Sequence, residues 1–215
     1  MMKWTLQIEN KSFNNLNLFL DTKVEFESGK FYAIKGESGI GKTTLLKMIG
    51  LLESFKGDSF INENKIDYKE LEKYRRDTFT YIFQDFKLIP ELTAYENAIL
   101  PLKNLHEPVD LTYLDELSEF LGIVSILHKK VKFLSGGEAQ RAAILRALLT
   151  RRPFILADEP TGSLDGNNVD IVMSILKEVV KKYNRTIIMV THDKNLDEYF
   201  DCIYKIEEKK VVLYV

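Results

Sequence analysis

The feature that most constrains this chain is a glycine-rich octapeptide running from Gly36 to Thr43, Gly-Glu-Ser-Gly-Ile-Gly-Lys-Thr. The apolar run Phe31–Ile34 before it predicts a buried strand, and Thr44–Ile49 after it predicts a helix. Glycines lack a Cβ, so the backbone N–H groups of such a loop can approach phosphate oxygens at the positive end of the helix. The alternative is a chance match in a glycine-containing turn, and the flanking elements disfavour it. The sequence therefore predicts a nucleotide phosphate loop, residues 36–43.

Two side chains at the end of this phosphate loop carry its predicted chemistry. Lys42 is expected to reach the β- and γ-phosphates as a point charge. The hydroxyl of Thr43 is expected to bind Mg²⁺. The predicted ATP-binding residues of this segment are Gly36, Glu37, Ser38, Gly39, Ile40, Gly41, Lys42, Thr43 and Thr44.

Composition limits the class of protein. The 215 residues are 45% hydrophobic, enough for one domain with a full core. Thirty basic and thirty-two acidic residues give a net charge of −2, which argues against nucleic acid as the primary partner. Cys202 is the only cysteine and stands in an apolar stretch, so we interpret it as a core thiol. No apolar run approaches about 18 residues, so we expect a cytoplasmic chain whose membrane role requires a partner.

An antiparallel sheet is predicted ahead of the phosphate loop. Trp4–Ile8 and Lys23–Glu27 both alternate apolar and polar residues, as half-buried strands do. Between them, Asn10–Asn15 is predicted to be a loop that is polar except for Phe13. Phe13 has two interpretations: it covers the local core, or it stacks on an adenine ring.

The second half of the chain alternates strand-rich and helical segments. A strand over Thr78–Phe83 is followed by helical periodicity through residues 93–150. Further strands are predicted at Pro153–Ala157 and Thr186–Val190, with a long helix between them and a closing strand pair after residue 202. We expect a single domain, 1–215, in which residues 1–84 and 152–215 form a β subdomain and a nucleotide-binding core, and residues 85–151 form a helical subdomain.

Polar residues follow three predicted strands and are expected to converge on the phosphate loop. Asp158 would hold Mg²⁺ through water, and Glu159 would polarise the water that attacks the γ-phosphate. Gln84 would offer its amide oxygen to Mg²⁺, and His192 would contact the γ-phosphate. The alternatives are helix capping or solvent exposure for the two acids, and a hydrogen-bonded loop position for His192. The predicted catalytic residues are Glu159, His192, Lys42 and Gln84, and the predicted metal-binding residues are Thr43, Gln84 and Asp158.

A second glycine motif, Ser135-Gly136-Gly137-Glu138, opens a helix predicted to run to Leu149. A hydroxyl, bare backbone amides and the helix dipole make this an anion site. Ser135 with Glu138 three positions later also fits a capping box. The two interpretations are compatible.

The motifs together resemble the ATP-binding cassette of ABC transporters. They are the phosphate loop, Gln84, Leu-Ser-Gly-Gly-Glu, Ile-Leu-Ala-Asp-Glu-Pro-Thr, Ser163-Leu164-Asp165 and Thr191-His192-Asp193, in this order. The resemblance implies an α/β P-loop NTPase fold, with a RecA-like parallel-sheet core, an N-terminal antiparallel β subdomain and an α-helical subdomain. It implies ATP and Mg²⁺ as cofactors, and a head-to-tail homodimer in which the signature residues Ser135, Gly136, Gly137 and Glu138 close over the partner's ATP. It also implies that Asp165 lies in a loop crossing the dimer interface and that Phe13 stacks on adenine.

Within that family, the segment Leu92–Leu102 resembles the MacB and LolD group, which powers macrolide, peptide and lipoprotein exporters. A separately encoded membrane permease would then dock near Asp85–Ile99, holding the chain at the inner face of the membrane. Ile40 and Ala139 depart from the residues usual in the group, and Ala139 puts dimer affinity in question. The rival hypothesis is a soluble ABC-type ATPase acting on nucleic acid or ribosomes; a P-loop kinase would leave Leu-Ser-Gly-Gly-Glu unexplained.

Overall fold

The structure, a computed structural model, describes residues 2–13, 16–162 and 164–215. Its strands, numbered in chain order, are β1 (Lys3–Phe13), β2 (Leu16–Glu27), β3 (Phe31–Lys35), β4 (Lys56–Ile61), β5 (Asn64–Lys65), β6 (Phe79–Phe83), β7 (Phe154–Asp158), β8 (Thr186–Val190), β9 (Cys202–Glu207) and β10 (Lys210–Leu213). The α-helices are α1 (Lys42–Ile49), α2 (Leu71–Thr78), α3 (Ala94–Asn104), α4 (Leu111–Phe120), α5 (Gly136–Leu149) and α6 (Gly166–Tyr183). Short 3-10 turns span Tyr68–Glu70, Val124–Ile126, Val131–Phe133 and Lys194–Tyr199.

A six-stranded sheet in the order β10-β9-β3-β8-β7-β6 forms the centre of the molecule. The strands from β9 to β6 are parallel, and β10 closes the sheet antiparallel to β9. Every residue of β3 and β8 is buried, as expected for parallel strands covered on both faces. Side chains alternate between two cores, so that Ile187 and Met189 pack with the helical segment while Ile188 and Val190 pack toward α1 and the N-terminal strands.

The N-terminal strands form a separate antiparallel sheet in the order β2-β1-β4-β5. The predicted loop over Asn10–Asn15 is wrong for residues 10–13, because β1 continues to Phe13 and pairs with Leu16. A register shift between Lys11 and Ser12 accommodates this polar stretch. Cross-strand pairing overrides the low strand propensity of asparagine here. Asn14 and Asn15 lie outside the described residues.

The segment between β6 and β7 is helical, as predicted. α3 begins with a capping box between Thr93 and Glu96, and it packs against α5. Thr78, predicted to start a strand, is instead the last residue of α2. The predicted fold class, a P-loop core with an antiparallel sheet and helices, is confirmed. None of the helices in the described parts of the chain is long and apolar enough to cross a membrane.

Candidate nucleotide-binding site

Four neighbouring parallel strands end at one level of the central sheet. Phe83 pairs with Asp158, Asp158 pairs with Val190, and Val190 pairs with Ile34. The polar residues that follow these strand ends are therefore brought to the edge where the phosphate loop begins. This is the edge at which open α/β sheets place their ligands. The register thus brings together Gln84, Asp158, Glu159, His192 and the phosphate loop, as the sequence predicts.

The phosphate loop curls around the ammonium group of its own lysine. Lys42 is buried, and its Nζ donates to the carbonyl oxygens of Gly36, at 3.0 Å, and Glu37, at 2.9 Å. Gly41 has a φ of 107°, a conformation that L residues rarely adopt, and a Cβ there would lie 3.1 Å from Cζ of Phe19. No side chain among the described residues caps α1 at Gly41. The amides at the start of α1 are thus available to an anion, at the positive end of the helix dipole.

Thr43 and Asp158, two of the three residues predicted to bind Mg²⁺, are in direct contact. The hydroxyl of Thr43 donates to Oδ1 of Asp158 at 3.1 Å. Burial and, to a lesser extent, the charge of Glu159 raise the pKa of the Asp158 carboxyl, whereas the Thr43 hydrogen bond opposes this shift. A hydroxyl and a carboxylate are hard oxygen ligands of the kind that Mg²⁺ prefers alongside phosphate oxygens and water. Within the described residues, no cluster of three or more His, Cys, Asp or Glu side chains forms a metal cage. The donor set therefore fits Mg²⁺ shared with a nucleotide.

Glu159 and His192 are in direct contact. Nδ1 of His192 lies 3.1 Å from Oε1 of Glu159, and the side chain of His192 is 69% exposed. The backbone of Glu159 is left-handed, with a φ of 44°, and its N–H donates to the carbonyl of Val190 at 3.1 Å. The β8 strand therefore fixes the backbone of the predicted base, while the imidazole orients its carboxylate.

Gln84 lies beside the segment that follows the two acids. A Cβ on Gly162 would be 3.0 Å from Nε2 of Gln84, which places the amide close to this segment. The next turn is held from α5, because the guanidinium of Arg146 donates to the carbonyl oxygens of Phe86, at 2.7 Å, and Lys87, at 2.5 Å. Burial lowers the pKa of Arg146, which nevertheless stays charged. Gln84 thus lies between the acids and a turn tied to α5.

Phe13 stands at the end of the β1–β2 hairpin and is 64% exposed. This exposure contradicts the interpretation of Phe13 as a lid on the local core. The same hairpin reaches the phosphate loop, because Leu18 and Phe19 of β2 lie within 4 Å of a Cβ built on Gly41. Phe13 is therefore accessible on a hairpin that borders the site, and its stacking on adenine stays a prediction.

The second glycine motif opens α5 with the predicted capping box. The backbone N–H of Ser135 donates to Oε2 of Glu138 at 2.7 Å, and Ser135 Oγ accepts from the Glu138 N–H at 3.4 Å. Ser135 and Gly136 are exposed. A Cβ on Gly137 would lie 2.5 Å from Oδ1 of Asn168, a residue that also bonds Asp165, the N-cap of α6. Asn168 thus bonds Asp165 and lies against Gly137 within one subunit. Ser163 lies outside the described residues.

Two residues near the site were not predicted from the sequence. Arg146 holds the turn after Gln84, and Lys35 joins β3 to the segment after His192. Lys35 had a signal in the sequence, since a lysine ending the buried run Phe31–Ile34 needs a partner. Arg146 had none, because its acceptors are backbone carbonyls.

The fold and site together define a P-loop nucleotide-binding protein. Residues 19–162 match the family described as ABC transporter. The chain is 38% identical over 217 residues to the lipoprotein-releasing system ATP-binding protein LolD of Aquifex aeolicus, covering 96% of each chain. It is 38% identical over 209 residues to the macrolide export ATP-binding/permease protein MacB of Aggregatibacter actinomycetemcomitans, covering 93% of this chain and 32% of MacB. It therefore spans about a third of that MacB protein.

Solved structures extend the comparison. The dimeric structure of MJ0796, an ABC transporter cassette from Methanocaldococcus jannaschii, aligns with a TM-score of 0.81 at 33% identity, covering 98% of this chain and 96% of that one. A second dimeric MJ0796 structure, in a post-hydrolysis state bound to ADP and Pi, aligns with a TM-score of 0.81 at 32% identity and with the same coverage. This chain belongs to the ABC transporter family. It is an ATP-binding cassette and an ATPase, which confirms the resemblance predicted from its motifs.

Proposed function

We propose that this chain dimerises head to tail on ATP and hydrolyses it to drive a separately encoded membrane permease of exporter type. The convergence of four strand ends on the phosphate loop carries this proposal. At that edge Thr43 bonds Asp158, and His192 bonds Glu159. These two pairs supply a cation site and an oriented base beside a loop built for phosphates.

Hydrolysis requires a water to attack the γ-phosphate while the bond to the bridging oxygen breaks. The phosphate loop amides and Lys42 bind the phosphate chain, which releases the ammonium from the Gly36 and Glu37 carbonyls. Glu159 accepts a proton from the water, and His192 orients Glu159 and contacts the γ-phosphate. Gln84 positions the water and senses whether the γ-phosphate is present.

Mg²⁺ would be held by the Thr43 hydroxyl, by Gln84 and, through water, by Asp158, and when bound it neutralises developing phosphate charge. In the structure, Asp158 accepts a hydrogen bond from the Thr43 hydroxyl. The raised pKa of Asp158 reflects a buried carboxylate whose charge is poorly compensated, the state that a bound cation relieves. The oxygen ligands of these three residues and the negative charge of Asp158 are therefore suited to Mg²⁺.

The second subunit would complete each site. Ser135 and Gly136 are exposed at the start of α5, where the helix dipole favours an anion. We propose that Ser135, Gly136 and Gly137, with Glu138 holding the cap, contact the ATP of a second copy of this chain. Asp165 would lie in the loop that crosses the interface. The MJ0796 cassette has been solved as a dimer, which supports dimerisation of its relative here.

The permease would dock along the segment Asp85–Ile99. Part of this segment is buried and part is exposed. Ala94, Asn97, Ala98 and Ile99 are buried, whereas Ile89 is 42% exposed. Phe86, Leu88, Leu92 and Tyr95 are partly buried and complete the apolar surface. An apolar patch beside Gln84 is suited to transmit γ-phosphate occupancy to a partner.

The relatives indicate the exporter type and the location. LolD and MacB are named for lipoprotein release and macrolide export, and this chain is 38% identical to each over the aligned part. We therefore propose a drug, peptide or lipoprotein exporter with the cassette peripheral on the inner face of the membrane. With a net charge of −2, the chain is not expected to bind nucleic acid.

The assignment of Glu159 as the base is tested by Glu159→Gln. The variant keeps the size of the side chain but removes the proton acceptor, so we expect ATP hydrolysis to fall at least about a hundredfold. ATP affinity should stay within about twofold, because the phosphate loop is unchanged. The matched control is Glu72→Gln on the surface of α2, which should hydrolyse ATP normally. Normal turnover by Glu159→Gln would refute the assignment.

The docking surface is tested by charge insertion. Tagged Glu159→Gln protein, held with Mg-ATP in detergent-solubilised membranes of the native host, should co-purify with a polytopic membrane protein. Adding Ile89→Glu should abolish this capture, because it buries a carboxylate in the apolar interface. Val124→Glu, at another exposed apolar site, is the control and should not affect capture. Capture of ribosomal or nucleic-acid partners alone would favour the rival soluble ATPase.

A further inference from the structure

Lys35 is the last residue of β3 and directly precedes the phosphate loop. Its side chain is only 9% exposed, and its ammonium lies against the segment that follows His192. Nζ donates to the carbonyl oxygen of Asp193 at 2.7 Å and also contacts the carboxylate of Asp197. It lies 5.6 Å from the centre of the Phe200 ring. A buried ammonium is unfavourable without such partners, so the contact strongly restrains both segments.

The segment that follows His192, which Lys35 holds, borders an open cavity on the side that faces the nucleotide site. A cavity of about 910 Å³ lies between the phosphate loop and the residues after β8, lined by Gly36, Glu37, Ser38, His192 and Lys194. Lys35 lies in its wall, with Asp197 beside it. His192 borders this space with a largely exposed ring. Packing therefore contributes little to the position of the imidazole on this side.

The Lys35 contact connects the phosphate loop to the segment that carries His192. On one side it acts at the residue before Gly36, and on the other at Asp193, the residue after His192. Asp193 is itself braced, since its N–H donates to Thr191 Oγ1 at 3.1 Å and its carboxylate accepts from the Asn195 N–H at 2.8 Å. A restraint on the Asp193 carbonyl therefore reaches the imidazole through one peptide unit.

We propose that Lys35 is a positioning residue for hydrolysis, which holds His192 at its distance from Glu159 and from the γ-phosphate. It ties the segment after β8 to the strand that carries the phosphate loop. Lys35 acts through His192 and touches no reacting atom. This inference rests on the proposed roles of Glu159 and His192. It adds a residue that lies outside both the phosphate loop and the motif around His192.

The test compares Lys35→Met, Lys35→Arg, His192→Ala and the double variant Lys35→Met/His192→Ala, all in the full chain. We expect Lys35→Met to lower kcat for ATP about tenfold with KM within about twofold. Lys35→Arg, which keeps a cation within reach of both acceptors, should recover most of the rate. The double variant should be no slower than His192→Ala alone, because both changes remove one function. Lys205→Met, in the same cavity but with its ammonium over the Tyr214 ring, is the control and should leave kcat unchanged.

Three results would overturn the inference: a Lys35→Met variant with normal kcat, no recovery by Lys35→Arg, or a double variant slowed by the product of the two single effects. The last outcome would assign Lys35 a structural role independent of His192. Thermal melting of each variant separates a loss of folded protein from a loss of rate. The Glu159→Gln variant tests the proposed function separately, because hydrolysis that survives it contradicts the base assignment whatever Lys35 does.

Discussion

Several residues around the site have positive φ angles, which are unfavourable for residues other than glycine. Glu159 has a φ of 44°, and the consecutive residues Phe86 and Lys87 have φ values of 59° and 47°. Left-handed non-glycine residues cost roughly 1–3 kcal/mol and persist only where surrounding contacts hold them. The Val190 carbonyl holds Glu159, and Arg146 holds Phe86 and Lys87. These hydrogen bonds thus hold the proposed base and the turn after Gln84 in strained backbone conformations.

At Gly41 a positive φ shapes the proposed phosphate loop. We expect Gly41→Ala to weaken ATP binding at least about tenfold. The φ of 107° is unfavourable for alanine, and the new Cβ would lie 3.1 Å from Phe19, so the loop must shift. Isothermal titration with ATP measures the effect.

Gly122→Ala is the matched control. Gly122 also has a positive φ, of 63°, but it has open space around it and lies outside the phosphate loop. It should lose stability and keep its ATP affinity, and unchanged affinity in Gly41→Ala would contradict the loop geometry.

Among the elements, α5 links the two surfaces on which the proposed mechanism depends. Ser135 caps its first turn, and Arg146, eleven positions later, holds the turn after Gln84. At 1.5 Å per residue the helix spans about 16 Å between them. Movement of Gln84 on γ-phosphate binding would therefore be transmitted along α5 to the residues that face the partner's nucleotide.

The strength of this link is measurable as stability. Arg146→Met removes two hydrogen bonds from a charged donor and leaves the Phe86 and Lys87 carbonyls without it, so we expect a loss of roughly 2–3 kcal/mol in the free energy of unfolding. Denaturant unfolding checks the value. Arg76→Met, which removes an exposed arginine paired with Asp77, should leave the free energy of unfolding essentially unchanged. An Arg146→Met variant as stable as the control would show that the turn is held by other contacts.

The sequence predicted the elements whose patterns are local. The phosphate loop, the strands that lead to Gln84, Asp158 and His192, and the capping box at Ser135 all follow from short motifs and buried apolar runs. What it missed depends on partners distant in the chain. β1 extends to Phe13 because β2 pairs with it, and Lys35 and Arg146 bond backbone atoms more than fifty positions away. Backbone acceptors carry no residue signature, so the sequence can signal that Lys35 needs a partner but cannot identify that partner, and it gives no signal for Arg146.

At the scale of the whole molecule, the proposed function gives one chain two half-sites. The phosphate loop edge would hold the nucleotide and the base, whereas Ser135 and Gly136, exposed at the start of α5, would contact the partner's nucleotide. β6, at one edge of the central sheet, leads into Gln84 and the proposed permease surface. Dimerisation on ATP would pair the half-sites and place both permease surfaces in one assembly.

The most direct measurement is sedimentation velocity of the Glu159→Gln protein, which we expect to bind ATP without turning it over. With saturating Mg-ATP we predict a species of twice the 24.9 kDa chain mass, and with ADP a species of the single mass. A chain that stays at the single mass while calorimetry shows ATP bound would contradict the composite site, and with it the assignment of Ser135 and Gly136 to the partner's nucleotide.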